Sequence, residues 1–199
     1  MTAETPSKMR NLIEEPIQQS LIRMTMPMII GMIMLFTFSL VDTWFISFLG
    51  TESLTAISFT FPVTFTVMSM AIGLGIGASA VVASYLGASE LDKAKESATV
   101  INYISFAMAC LIVLLCWTFM DQIFTIMGAT EQLMVAIRKY MSIWFPGSIL
   151  IVCIMTGNSI LRAIGDTKTP SILMASAGLI NAVLDPILIF GLGPFPELG

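Results

Sequence analysis

Two carboxylates stand where water is scarce. Asp42 lies within Ser39-Leu-Val-Asp-Thr-Trp-Phe45, and Asp185 within Asn181-Ala-Val-Leu-Asp-Pro-Ile187. An aspartate near a bilayer centre costs about 2.5–3.5 kcal/mol on insertion scales, so such a group normally faces a polar cavity or a partner. Around Asp185 the polar groups are denser. Met174, Gly178, Asn181 and Asp185 follow at steps of four, three and four, which sets them on one helical face. Pro186 has no N–H, and its ring crowds the carbonyl of Ala182 four residues back, leaving that oxygen free beside the amide and the carboxylate. Such oxygen donors suit a hard cation such as Na⁺. They equally suit a proton, because desolvation and a like-charged neighbour both favour the protonated form of a carboxylate. If the two groups are close they titrate as one coupled pair. The competing reading is a polar pair that only fixes helix packing.

These residues need elements to hold them. A lipid-spanning helix takes roughly 20 mostly apolar residues, and five stretches qualify: about Leu21–Leu49, Leu54–Leu86, Thr99–Met120, Met134–Leu161 and Thr169–Gly191. The breaks carry turn or charge signals at Gly50-Thr-Glu52, Gly87-Ala-Ser-Glu-Leu-Asp92, Met127-Gly-Ala-Thr-Glu131 and Gly165-Asp-Thr-Lys168. Lys8, Arg10, Arg23, Lys93, Lys95, Arg162 and Lys168 fall on one side of the bilayer, Arg138 and Lys139 on the other. The positive-inside rule then puts the N-terminus in the cytoplasm. Spans one, three and five run outward. Asp42 precedes Leu49 by seven residues and Asp185 precedes Gly191 by six, so both sit roughly 9–10 Å below the outer surface. Two matched depths allow one shared cavity.

Composition excludes much else. Of 199 residues 56% are hydrophobic and only 11% charged, against about a quarter charged in soluble domains. The fold class is an all-α integral membrane protein. A net charge of −4 and the lack of a basic patch argue against nucleic acid. Without histidine there is no His-ligated metal and no Ser-His pair, and no metal is expected beyond Na⁺ at Asp42, Asn181 and Asp185. Cys110, Cys116 and Cys153 read as free buried thiols. Residues 1–20 are polar with no signal-peptide core, so they read as a cytoplasmic segment and the first span as a retained anchor. Gly191–Gly199 reads as a connecting loop, a hint of truncation.

Weaker features remain. Gly73-Leu-Gly-Ile-Gly77 follows no strand and is not a dinucleotide fingerprint. Gly77, Ala80, Ser84 and Gly87 form a small-residue stripe that allows close approach of another helix. Pro27 frees the carbonyl of Arg23 and should kink the first span, and Pro62 and Pro146 offer the same break to the second and fourth. Asn158 either lines a cavity or bonds a neighbouring helix. The 16 methionines supply adaptable apolar surface.

From about Pro16 to Gly199 the chain resembles the first half of multidrug and toxic compound extrusion (MATE) transporters. Four segments carry the likeness: Leu40-Val-Asp-Thr-Trp-Phe45 through Leu49-Gly50; Phe61-Pro62 with Gly73-Leu-Gly-Ile-Gly-Ala-Ser79; Ile160-Leu-Arg-Ala-Ile-Gly-Asp-Thr-Lys-Thr-Pro170; and Asn181-Ala-Val-Leu-Asp-Pro-Ile-Leu-Ile-Phe-Gly191. The resemblance implies two six-helix lobes around a cleft, with residues 21–199 as an incomplete N-terminal lobe lacking its sixth helix and the second lobe. It implies export of amphiphilic, cationic drugs or metabolites across the plasma membrane, coupled to H⁺ or Na⁺ with no cofactor. It places the cation on Asp42, Asn181 and Asp185, cavity positions on Phe38, Asn158 and Met174, and the hinge on Pro27. Phe38 stands where some relatives carry tyrosine, removing one hydroxyl, and Ser47-Phe48 replaces the more usual Gly-Arg.

Two other functions compete with this expectation. A lipid-linked saccharide flippase of the same superfamily would hold an anionic pyrophosphate with cations, whereas the membrane-depth charges here are acidic. An intramembrane aspartyl protease would use two aspartates sharing a proton, but neither segment carries the Gly-x-Gly-Asp pattern. A genuine short five-helix product that pairs with itself or with another half is a further alternative. By itself, five helices cannot enclose the cleft that alternating access needs.

Overall fold

The computed structural model describes residues 16–47 and 51–189. The segment before residue 16, the expected loop Gly191–Gly199 and the side chain of Asp42 lie outside the described residues. Backbone groups in lipid must find their partners within the protein, which leaves helices as the solution for an apolar chain of this kind. The described residues form six helices: α1 Ile17–Ser47, α2 Thr51–Gly87, α3 Leu91–Thr118, α4 Met120–Ile126, α5 Glu131–Ala163 and α6 Lys168–Ile189. All but α4 are long and apolar enough to cross a bilayer, which bears out the five expected spans. α1, α2, α5 and α6 run through Pro27, Pro62, Pro146 and Pro186 respectively.

The helices overrun the apolar stretches because charged residues stabilise their ends. α3 begins at Leu91 rather than Thr99, and its first turns carry exposed Lys93–Glu90 and Lys95–Asp92 pairs at 3.0 and 3.4 Å. α5 begins at Glu131, capped by the Thr130 hydroxyl, which accepts from the Leu133 N–H at 3.4 Å. At 33 residues α5 is about 50 Å long, more than the ~30 Å hydrocarbon core. The turn after α2 closes on Ser89, whose φ of 63° is left-handed. There the Glu90 N–H donates to Tyr85 O at 2.9 Å and the Ser89 N–H to Leu86 O at 3.0 Å, a Schellman pattern. Gly128 and Gly165 take positive φ of 92° and 83° at the turns after α4 and α5.

The chain forms two compact units, residues 1–54 with 165–199, and residues 55–164. In the first, α1 packs along α6. In the second, α3 packs along α5, and two apolar layers join α2, α3 and α5. One holds Val67, Ala71, Ala109 and Val152. The other holds Ala56, Val63, Val113, Ile137, Met141 and Phe145, with Phe124 of α4 fully buried among them. α4 was not among the expected elements; it turns Phe124 inward while Asp121 takes a bidentate pair from Arg138 at 2.9 and 2.8 Å.

The small-residue stripe needs correction. Gly77, Ala80, Ser84 and Gly87 are exposed, and a Cβ built at Gly77 or Gly87 would meet nothing within 4 Å. The buried face of α2 is instead Val67, Ala71, Gly75, Ala78 and Val82. Its close approach is Gly75 against Ser159 of α5. Both series repeat at helical spacing, and only the positions of the neighbouring helices distinguish them.

Candidate functional site: the carboxylate face of α6

Helical periodicity gathers Met174, Gly178, Asn181 and Asp185 on one side of α6. The Asn181 amide donates from Nδ2 to Asp185 Oδ1 at 3.0 Å, one turn along. The bond orients the carboxylate with a neutral donor. Pro186 follows immediately and denies the Ala182 carbonyl its helical partner, so a third oxygen lies at this level of α6.

α1 meets this helix at two places. Ser171 lies against Gly31, where a Cβ would sit 3.5 Å from the Ser171 Cα. Seven residues further on each helix, the ring of Phe38 covers Gly178, and a β-carbon on that glycine would collide with the Cδ2–Cε2 edge. Equal steps mean that α1 and α6 run parallel and in register. Asp42, one turn beyond Phe38 on the same helical face, is therefore level with Ala182, about 4.5 Å of helix rise before Asp185. The backbone brings Asp42 next to the Asn181–Asp185 pair in height.

Among the other expected residues, Phe38 and Met174 are half-buried in this unit. Pro27 lines an apolar cavity of about 320 Å³ between α1 and α6, with Met26, Gly31, Met34, Ser171 and Ala175. Asn158 belongs to the other compact unit, where it is 8% exposed on α5. The three cysteines are free thiols. Among the described residues no group of three or more His, Cys, Asp or Glu stands ready for a metal.

Two features escaped the sequence. The Phe38–Gly178 contact depends on how α1 and α6 register, and only the glycine in the polar face hinted at it. Arg162, assigned to a span end, instead turns back along α5 to Ser159; the Ser159-x-x-Arg162 spacing was the available signal.

The family model MatE matches residues 27–187. The chain belongs to this family of transporters. It is 42% identical over 187 residues to the FAD transporter of Shewanella oneidensis, an alignment covering 94% of this chain and 41% of the relative. To the multidrug export protein MepA of Staphylococcus aureus it is 30% identical over 180 residues, covering 89% and 40%. A crystal structure of MATE in complex with MaD3S superposes with a TM-score of 0.87 at 31% identity, over 98% of this chain and 43% of that one. The chain thus spans about two fifths of the relatives it matches, the extent of an N-terminal half. It is a multi-pass membrane protein, and its relatives are transporters rather than enzymes. The protease expectation has no support among them.

Proposed function

We propose that the chain is the N-terminal lobe of a cation-coupled antiporter that exports amphiphilic compounds across the plasma membrane. Residues 1–20 lie in the cytoplasm, and a sixth helix and second lobe complete the cleft. H⁺ or Na⁺ binds at Asp42, Asn181 and Asp185. The observation that supports this reading is the 3.0 Å Asn181–Asp185 bond on the α6 face that receives Phe38. An oriented intramembrane carboxylate is expensive to keep unless it meets a cation or proton in its working cycle.

Binding does work only if the cation has different affinities for two conformations. With the site empty, the negative charges of Asp42 and Asp185 favour an arrangement that admits solvent; neutralised, they favour a drier one in which α1 packs more closely on α6. Pro27 supplies the bend in α1. Phe38 and Met174 line the substrate cavity, and their apolar surfaces suit an amphiphile. Counterflow in vesicles bearing the complete transporter tests the mechanism: Asp185→Asn should abolish cation-driven export. Unchanged export in that variant refutes it.

A second reading concerns the cargo. The 42% identity to an FAD transporter favours a flavin dinucleotide, an anion, over a cationic drug. Efflux of FAD and of a cationic dye from the same vesicles separates the two.

A further inference from the structure

Arg162 closes the last turn of α5, at the end of a membrane-length helix. Its side chain bends back, and NH2 donates to Ser159 Oγ at 2.6 Å. The Ser159 hydroxyl in turn donates to Met155 O at 3.0 Å, which leaves its lone pairs for the guanidinium. Gly75 of α2 makes the space for this arrangement: a Cβ there would lie 2.5 Å from Ser159 Oγ. Between α2 and α5 a cavity of about 420 Å³ remains, lined by Ala71, Gly75, Ser79, Ala83, Met155 and Arg162.

The charge balance of this cavity is unusual. Arg138 has Asp121, Lys93 has Glu90 and Lys95 has Asp92. Among the described residues no carboxylate pairs with Arg162. A guanidinium carries five N–H donors, and one serine oxygen leaves most of them directed elsewhere. Partial burial without a counter-charge is costly, and the planar fork matches phosphate oxygens in two parallel hydrogen bonds. The other lining residues are small or apolar and bring no negative charge to oppose an anion.

We propose that the α2–α5 cavity is a binding site for a phosphate anion, with Arg162 as its bidentate donor and Ser159 as the residue that positions it. The phosphate belongs either to a lipid headgroup or to a phosphorylated solute. The site uses residues of the 55–164 unit alone and stands whether or not the carboxylate face of α6 binds a cation.

Titration calorimetry on the full chain, delipidated in a neutral detergent, tests this with two probes: inorganic pyrophosphate and a short-chain phosphatidylglycerol. At least one should bind, with affinity falling about tenfold or more in Arg162→Gln and severalfold in Ser159→Ala. Tighter binding of the lipid assigns a headgroup site, and tighter binding of pyrophosphate a solute site. Gly75→Val keeps the charge but fills the cavity, so it should lose the same anion. It decides the matter should Arg162→Gln fail to keep its helical spectrum. Binding by neither probe, or equal binding by wild type and Gly75→Val, overturns the proposal.

Discussion

The ring of Phe38 rests on the bare α-carbon of Gly178, with no space for a β-carbon between α1 and α6. This contact fixes the height of Asp42 against Asn181, because the residues are linked by single helical turns on each side. Gly178→Ala must push the ring away, and overpacking of this kind costs about 1–3 kcal/mol. Removing the ring as well should recover much of that loss. Unfolding of Gly178→Ala, Phe38→Ala and the double variant in detergent measures the coupling, and strictly additive losses would show that the two residues do not share a contact.

Asn181→Ala removes the donor to Asp185. The cation proposed for this site also loses the amide oxygen as a ligand, so Na⁺ affinity should fall by roughly tenfold while the helices remain assembled. Calorimetric titration with Na⁺ and a parallel circular dichroism spectrum check both halves. Affinity equal to wild type would remove Asn181 from the site.

Phe145 is fully buried, with Trp117 and Trp144 at ring-centroid distances of 5.8 and 6.0 Å. In a water-soluble core Phe→Ala costs about 3–5 kcal/mol. Here the unfolded reference also keeps its side chains in lipid, so the loss of packing remains but the transfer from water does not. Phe145→Ala should therefore cost about half as much, measured by denaturant titration in bicelles.

Ser89 holds a left-handed φ of 63° that glycine adopts without steric penalty. Ser89→Gly should stabilise the turn by about 0.5–1 kcal/mol, and Gly128→Ala, at φ 92°, should destabilise its own by about 1–2 kcal/mol. Thermal melts of the two variants should move in opposite directions.

The five membrane helices were legible because a bilayer permits little else to a long apolar stretch, and the polar face of α6 because one turn returns every 3.6 residues. The Asn181–Asp185 bond follows from that same period. What lay hidden depended on neighbours. The stripe from Gly77 to Gly87 and the buried series from Val67 to Val82 have the same spacing, and only the position of α5 selects the second. α4 is too short for a periodic signal; its place is set by Phe124 entering the layer with Ile137. Arg162 counted only as a charge at the end of a span, because a side chain that doubles back on its own helix leaves no trace in composition.

α1 finds its helical partner in α6, at the far end of the described chain, while residues 55–164 form a unit of consecutive sequence. During synthesis at about 5–20 residues per second, α1 waits on the order of ten seconds before α6 emerges. For that interval Gly31 and Phe38 have no Ser171 or Gly178 to meet, and the intervening helices can assemble first. A chain released after Ile164 would hold the middle unit complete and the carboxylate face unbuilt. Of the two units, the one that carries the Asn181–Asp185 pair is thus the later to acquire its form.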